Sequence, residues 1–196
     1  MTNIRLPIVV LALTASGLVG LAVKESYTDA AVIPIPGDVP TKGFGTTTNP
    51  DGSPVKLGDK TTPVRALQDL ARDVSKFEAP VRRCAPVPMY QYEFDAWVSF
   101  TYNVGEGAFC KSTAAKKLNV LDYTGACNEM LRWNQVKGRV VRGLTIRREA
   151  ERLQCLGESK AVTSSLQPLP PVQLPAPAPV ERPKTWFARF KDWVGV

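Results

Sequence analysis

The sequence predicts an α+β fold, a small lobe of helix end and β-hairpin followed by a larger, mainly helical lobe. Three observations lead there. An apolar run over residues 6–23 stops at Lys24 and Glu25. A short stretch dense in proline and glycine follows directly, with the composition of a hairpin. From residue 62 to about residue 157, apolar residues recur at helical spacing, and the composition then turns proline-rich. The chain divides accordingly into an apolar segment (1–24), a body (25–158), a proline-rich linker (159–184) and a basic aromatic tail (185–196).

With 196 residues the chain accommodates one domain of roughly 100–150 residues plus appendages. It carries 25 basic and 18 acidic residues, a net charge of +7, and no histidine. Without histidine the usual general base and the commonest metal ligand are missing, so acid–base chemistry falls to carboxylates. Neither a metal nor an organic cofactor is expected. A basic surface suits nucleic acid, a membrane surface or a cell-wall polymer, and charge alone does not choose among them. The four cysteines, Cys84, Cys110, Cys127 and Cys155, show no metal-type spacing. In an exported chain an even count suggests two disulfides, with three pairings open.

Residues 6–23 are 18 uncharged residues behind Arg5, about the minimum for a membrane-spanning helix. The positive charge in front predicts a cytoplasmic N-terminus and an exported body. Thr14, Ser16, Gly17 and Gly20 dilute the run. A cleaved signal peptide is one reading, with Gly20 and Ala22 as small residues before the cut. That cut would leave Glu25 third in the mature chain, badly placed for chemistry. An uncleaved helix that inserts and later leaves the bilayer is the reading favoured here.

Next, Ala30, Val32 and Ile33 predict a strand. A turn with Pro34, Pro36, Gly37 and Asp38 follows, and the stretch from Val39 through "TKGFGTT" returns as the partner strand. Gly43 and Gly45 mark bulges or a close backbone approach. A helix end thus delivers Glu25 beside a hairpin bearing Asp38 and Thr41. Two carboxylates and a hydroxyl across such a notch suit cleavage of a glycosidic bond, which needs one protonated and one ionised carboxyl.

In the body, a threonine cap and Pro63 open a first helix, with Val64, Leu67, Leu70, Ala71 and Val74 on its apolar face. Pro86 and Pro88 break the chain. A buried helix follows with Phe94, Trp97, Val98, Thr101 and Tyr102, ending at Asn103, Gly105 and Gly107. Arg147 and Arg148, with Glu149 and Glu151, are expected to open the last helix. They serve either as ion pairs fixing it or, through one arginine, to hold sugar or the surroundings of Glu25. Tyr102 and Trp133 suit core packing or stacking on sugar faces.

Three blocks, in order, carry a resemblance to the phage-type lysozymes, glycoside hydrolase family 24, and to their signal-anchor-release endolysins. The first is Glu25 followed by Thr41 and "TKGFG"; the second is "DAWVSFTYNVGEGAFCKST"; the third is "RWNQVKGRVVRGLTIRREAER". The resemblance implies a lysozyme-like fold and hydrolysis of β-1,4 bonds in peptidoglycan. It implies Glu25 as general acid, with Asp38 and Thr41 holding and activating the attacking water. In the family's usual spacing the aspartate lies six residues before the threonine, where this chain has Ile35; Asp29 comes too early, and Asp38 sits three residues before Thr41. Lys137 stands where the family often has a glycine. We expect the disulfides Cys84–Cys110, flanking the aromatic helix, and Cys127–Cys155, on helices that could pack together.

The expected partners are peptidoglycan, not nucleic acid, and the inner membrane through the N-terminal segment. The body is then periplasmic, inactive while anchored and active once released. A membrane-tethered wall-binding protein with an inactive lysozyme fold, or a secreted lysozyme with a cleaved signal peptide, are the alternatives. The linker holds seven prolines between Pro168 and Pro183 and suits an extended spacer. Trp186, Phe187, Phe190 and Trp193 then share one face of a short basic helix suited to a membrane or lipopolysaccharide surface.

Overall fold

Residues 6–23 do not form a single helix. In the computed structural model, which describes residues 4–34 and 37–158, Pro7 opens a 3-10 turn over Ile8–Val10. Four irregular residues follow, and helix α1 spans Ala15–Lys24. One continuous helix over residues 6–23 is not what this structure holds. Among the described residues no helix is long and apolar enough to cross a membrane. Backbone groups freed by the break find side-chain partners in the helical lobe. Thr14 caps α1 by accepting from the Gly17 N–H at 3.0 Å. Leu13 N–H donates to Glu78 Oε1 at 2.8 Å and Thr14 N–H to Asp95 Oδ1 at 3.2 Å. Arg82 Nη2 and Gln91 Nε2 donate to the carbonyls of Leu11 and Ala12. Ile8, Leu11 and Leu21 are buried in the common core. Upstream, Leu6 pairs with Met89 through two backbone hydrogen bonds. Arg5 binds Glu93 with two N–H groups and lies over the rings of Tyr90 and Tyr123, 4.5 and 3.7 Å from their centres.

The small lobe pairs β1, Thr28–Val32, antiparallel with β2, Thr41–Gly43. Val32 faces Thr41 and Thr28 faces Gly43, so β1 carries a bulge between these pairs. β1 therefore starts before the expected Ala30 and stops short of Ile33. Its other edge bonds the stretch 59–61, with Ala31 N–H to Asp59 O and Thr61 N–H to Asp29 O. β2 is shorter than expected because the chain doubles back at once, Lys42 and Thr46 exchanging backbone hydrogen bonds. Gly43 has φ +62°, and a Cβ there would stand 2.7 Å from that of Ala66. Only glycine lets the hairpin lie this close to the helical lobe.

That lobe is built on two long helices. α2 spans Pro63–Cys84, capped by Thr62 with Pro63 in its first turn, as expected. α3 spans Gln91–Val104 and is the centre of the core, with Phe94, Ala96, Trp97, Val98 and Phe100 buried. Gly105, at φ +85°, ends it. Short helices α4 (Glu106–Lys111), α5 (Thr113–Asn119) and α6 (Tyr123–Glu129) follow. A two-stranded ribbon, β3 (Gln135–Val136) and β4 (Arg139–Val140), leads into α7, Arg142–Cys155. Lys137 and Gly138 form its turn at φ +49° and +75°. The lysine thus occupies a left-handed position that glycine fits without strain. α7 begins five residues before Arg147, so Arg147 and Arg148 lie in its second turn and do not open it.

Both expected disulfides are present. Cys84–Cys110 ties the end of α2 to α4, and Cys127–Cys155 ties α6 to the end of α7. The proline-rich linker and the aromatic tail lie outside the described residues.

Candidate functional site

Glu25 is the residue that closes α1 before the chain enters β1. Its backbone is extended, at φ −99° and ψ +141°, so the side chain leaves the helix axis and reaches across to the helical lobe. There Glu25 Oε1 accepts from Arg147 Nη1 at 2.9 Å. The carboxylate is partly buried, its side chain 22% exposed. A second N–H of the same guanidinium, Nε, donates to Glu151 Oε1 at 3.1 Å. Glu151 is wholly buried and also accepts from Ser99 Oγ at 2.8 Å. Its other oxygen lies 3.2 Å from Arg148 Nη1. Arg148 is equally buried, bonds Asn103 Oδ1 and lies over the ring of Phe100. Lys24 completes the group, its Nζ 3.1 Å from Ser99 Oγ and 3.9 Å from Glu151 Oε1. Burial pushes the Lys24 ammonium and the Arg148 guanidinium down from their ordinary values, an effect that Glu151 opposes.

Thr41 opens β2, half-buried and opposite Val32. Asp38 stands on the exposed turn, its Oδ1 accepting from the Val39 N–H at 2.8 Å. No hydrogen bond or ion pair joins Asp38 to Glu25 or Thr41. The structure therefore brings Glu25 to the meeting of the lobes, sets Thr41 on the adjoining hairpin and leaves Asp38 on the exposed turn. Tyr102 lies below the hairpin: its hydroxyl donates to Phe44 O at 3.0 Å and its ring packs on Phe77. Burial, then the negative charges of Glu25 and Asp73, push the phenol up to about 12. Trp133 packs edge-on against Phe100 and lines a cavity of 510 Å³ with Lys111, Ser112, Glu129 and Arg132. Glu25, Asp38 and Thr41 are not among that cavity's walls. Among the described residues, no group of three or more His, Cys, Asp or Glu side chains is placed to hold a metal ion.

Ser99 and Glu151 went unmarked by the sequence as neighbours of Glu25. The only signal for them was an i, i+4 pair, Arg147 with Glu151, on a helix. Nothing local says that this pair faces a residue 122 positions away.

Comparison with known proteins agrees with this architecture. The chain is 38% identical over 156 residues to the SAR-endolysin of Pseudomonas phage phiKMV, covering 78% of this chain and 93% of that protein. It is 45% identical over 100 residues to the endolysin of Bacillus phage B103, of which it spans only 38%. The solved endolysin from Escherichia coli O157:H7 phage FAHEc1 superposes with a TM-score of 0.69 at 38% identity, covering 76% of this chain and 96% of that one. The phage lysozyme family matches residues 22–151, from the last turns of α1 through most of α7. That span includes Glu25, the hairpin, both long helices and the arginine pair; on sequence and architecture alike, the chain belongs to the phage lysozyme family.

Proposed function

We propose that the chain is an endolysin that hydrolyses the β-1,4 bond between N-acetylmuramic acid and N-acetylglucosamine in peptidoglycan. The observation that carries this reading is the place of Glu25, a carboxyl at the meeting of the two lobes, held from the helical side and flanked by the hairpin of Thr41. Glu25 protonates the leaving glycosidic oxygen. Water held by Thr41 attacks the anomeric carbon from the opposite face and gives its proton to Asp38, which swings inward from the turn. With a water between the two carboxyls the outcome is inversion. Glu25→Gln keeps the shape and removes the proton, so clearing in a peptidoglycan zymogram falls about 10²–10⁴-fold. Undiminished clearing by this variant sinks the assignment. The position of Asp38, without contact to Glu25, favours a second reading, a wall-binding protein with an inactive lysozyme fold. Absence of clearing by the unaltered, folded protein would select it.

We further propose that the chain is held inactive in the inner membrane and acts after release to the periplasm. Residues 6–23 then span the bilayer with Arg5 on the cytoplasmic side, and Glu25 is pinned at the interface away from Arg147. Two facts support this. The phiKMV relative is named a SAR-endolysin. The segment also has a place in the enzyme, where Glu78, Arg82, Gln91 and Asp95 receive its backbone and Thr14 cap. Dissipating the membrane potential should move the full-length, uncleaved chain from the membrane to the soluble periplasmic fraction. Retention in the membrane after depolarisation counts against release.

A further inference from the structure

Arg147 is a bridge between two carboxylates. One N–H group reaches Glu25 at 2.9 Å and another reaches Glu151 at 3.1 Å. The two ends differ in kind. Glu25 is partly open to solvent, whereas Glu151 is fully buried and held by Ser99 of α3 as well as by Arg148 of its own helix. The direction in which Arg147 presents its remaining N–H groups is therefore set from the Glu151 side. Lys24, the residue before Glu25, turns toward the same buried oxygen through Ser99.

We propose that Glu151 is a positioning residue for Glu25: it fixes the arginine that carries the Glu25 carboxyl and shares that arginine's charge. This rests on the reading of Glu25 as the general acid. The charge count shows why this sharing matters. Lys24 on α1 and Arg147 and Arg148 on α7 supply three positive charges, against Glu25 and Glu151, and Tyr102 on α3 is neutral at working pH. Remove the charge of Glu151 and Arg147, 2.9 Å from Glu25, is left with that carboxylate as its one anionic partner, while Lys24 and Arg148 lose the anion they share. Cations within a few ångströms favour the ionised form of a carboxyl, and an acid catalyst must hold its proton. A purely structural ion pair fixing α7 to α3 would have no such consequence for the pH dependence of the reaction.

The test compares full-length unaltered protein with Glu151→Gln and Glu151→Asp, measuring release of muropeptides from purified peptidoglycan across pH. Glu151→Gln keeps the shape but not the charge. Its kcat falls about a hundredfold with KM within about twofold, as expected for a misplaced catalytic group. Its alkaline limb moves about one pH unit toward acid. Glu151→Asp keeps the charge and withdraws the oxygen by one carbon, so kcat falls while the alkaline limb stays in place. A Glu151→Gln protein with unaltered near-ultraviolet circular dichroism, kcat and limb overturns the proposal. Should that variant not fold, Glu151→Asp decides, and an unaltered kcat there overturns it too. Full activity in Glu25→Gln is a different failure: it removes the acid assignment itself, while a displaced limb in Glu151→Gln alone does not depend on that control.

Discussion

Tyr102 is the residue whose surroundings make the sharpest statement about the site. Its phenol is pushed up to about 12, first by burial and then by Glu25 and Asp73. Between pH 10 and about 12 the folded protein keeps a proton that the unfolded chain has lost, so stability falls across that window. Absorbance titration should show Tyr102 ionising last of the five tyrosines, after Tyr92 and Tyr123, which burial also raises, and Tyr102→Phe should abolish that last step and its part of the stability slope. The places of Glu25 at the end of α1 and of Thr41 on the returning strand were legible in the sequence because both belong to a motif with fixed spacing. Asp38 was legible only as a substitute, and the structure leaves it on the exposed turn. Glu151 was hidden, since a buried glutamate and an exposed one look alike along a helix and only the approach of α1 and α3 gives it partners.

At the scale of elements, the N-terminal segment departs most from its sequence pattern. Eighteen uncharged residues predict a continuous helix, yet the capping preference of Thr14 and the carboxylates of Glu78 and Asp95 divide it. Asp95 also accepts the Thr14 hydroxyl, but burial outweighs these bonds and pushes its carboxyl up from the ordinary value. The sign follows directly. A carboxyl raised by folding contributes stability that is complete below about pH 4 and is lost as pH rises through its folded value. Melting temperatures of the unaltered protein should therefore decline through the weakly acidic range relative to those of Asp95→Asn; a constant difference between the two would contradict the burial account. The hairpin shows the converse lesson. Its existence was legible from proline and glycine, but not its register, because the bulge in β1 and the edge pairing with residues 59–61 depend on chain outside the motif.

For the whole molecule, the two-lobe plan could be read from three motif blocks in sequence order, and both disulfides from the helices they were expected to join. Closing loops of 26 and 28 residues, the bridges each restrict the unfolded chain by about 3 kcal/mol. Reduction of both should lower the melting temperature by about 10–20 °C, read by calorimetry with and without reductant. A shift of a degree or two would mean that the helical lobe holds itself together without them.

One feature of α1 and its preceding turn reaches beyond the fold. Ile8, Leu11 and Leu21 point inward, but Val9, Val10, Val19 and Val23 remain 53–80% exposed, an apolar flank along this stretch. In the folded chain these valines face water, while Ile8, Leu11 and Leu21 on the same stretch do not. In the membrane-held state proposed above lipid would cover these valines, and release would hand them to water.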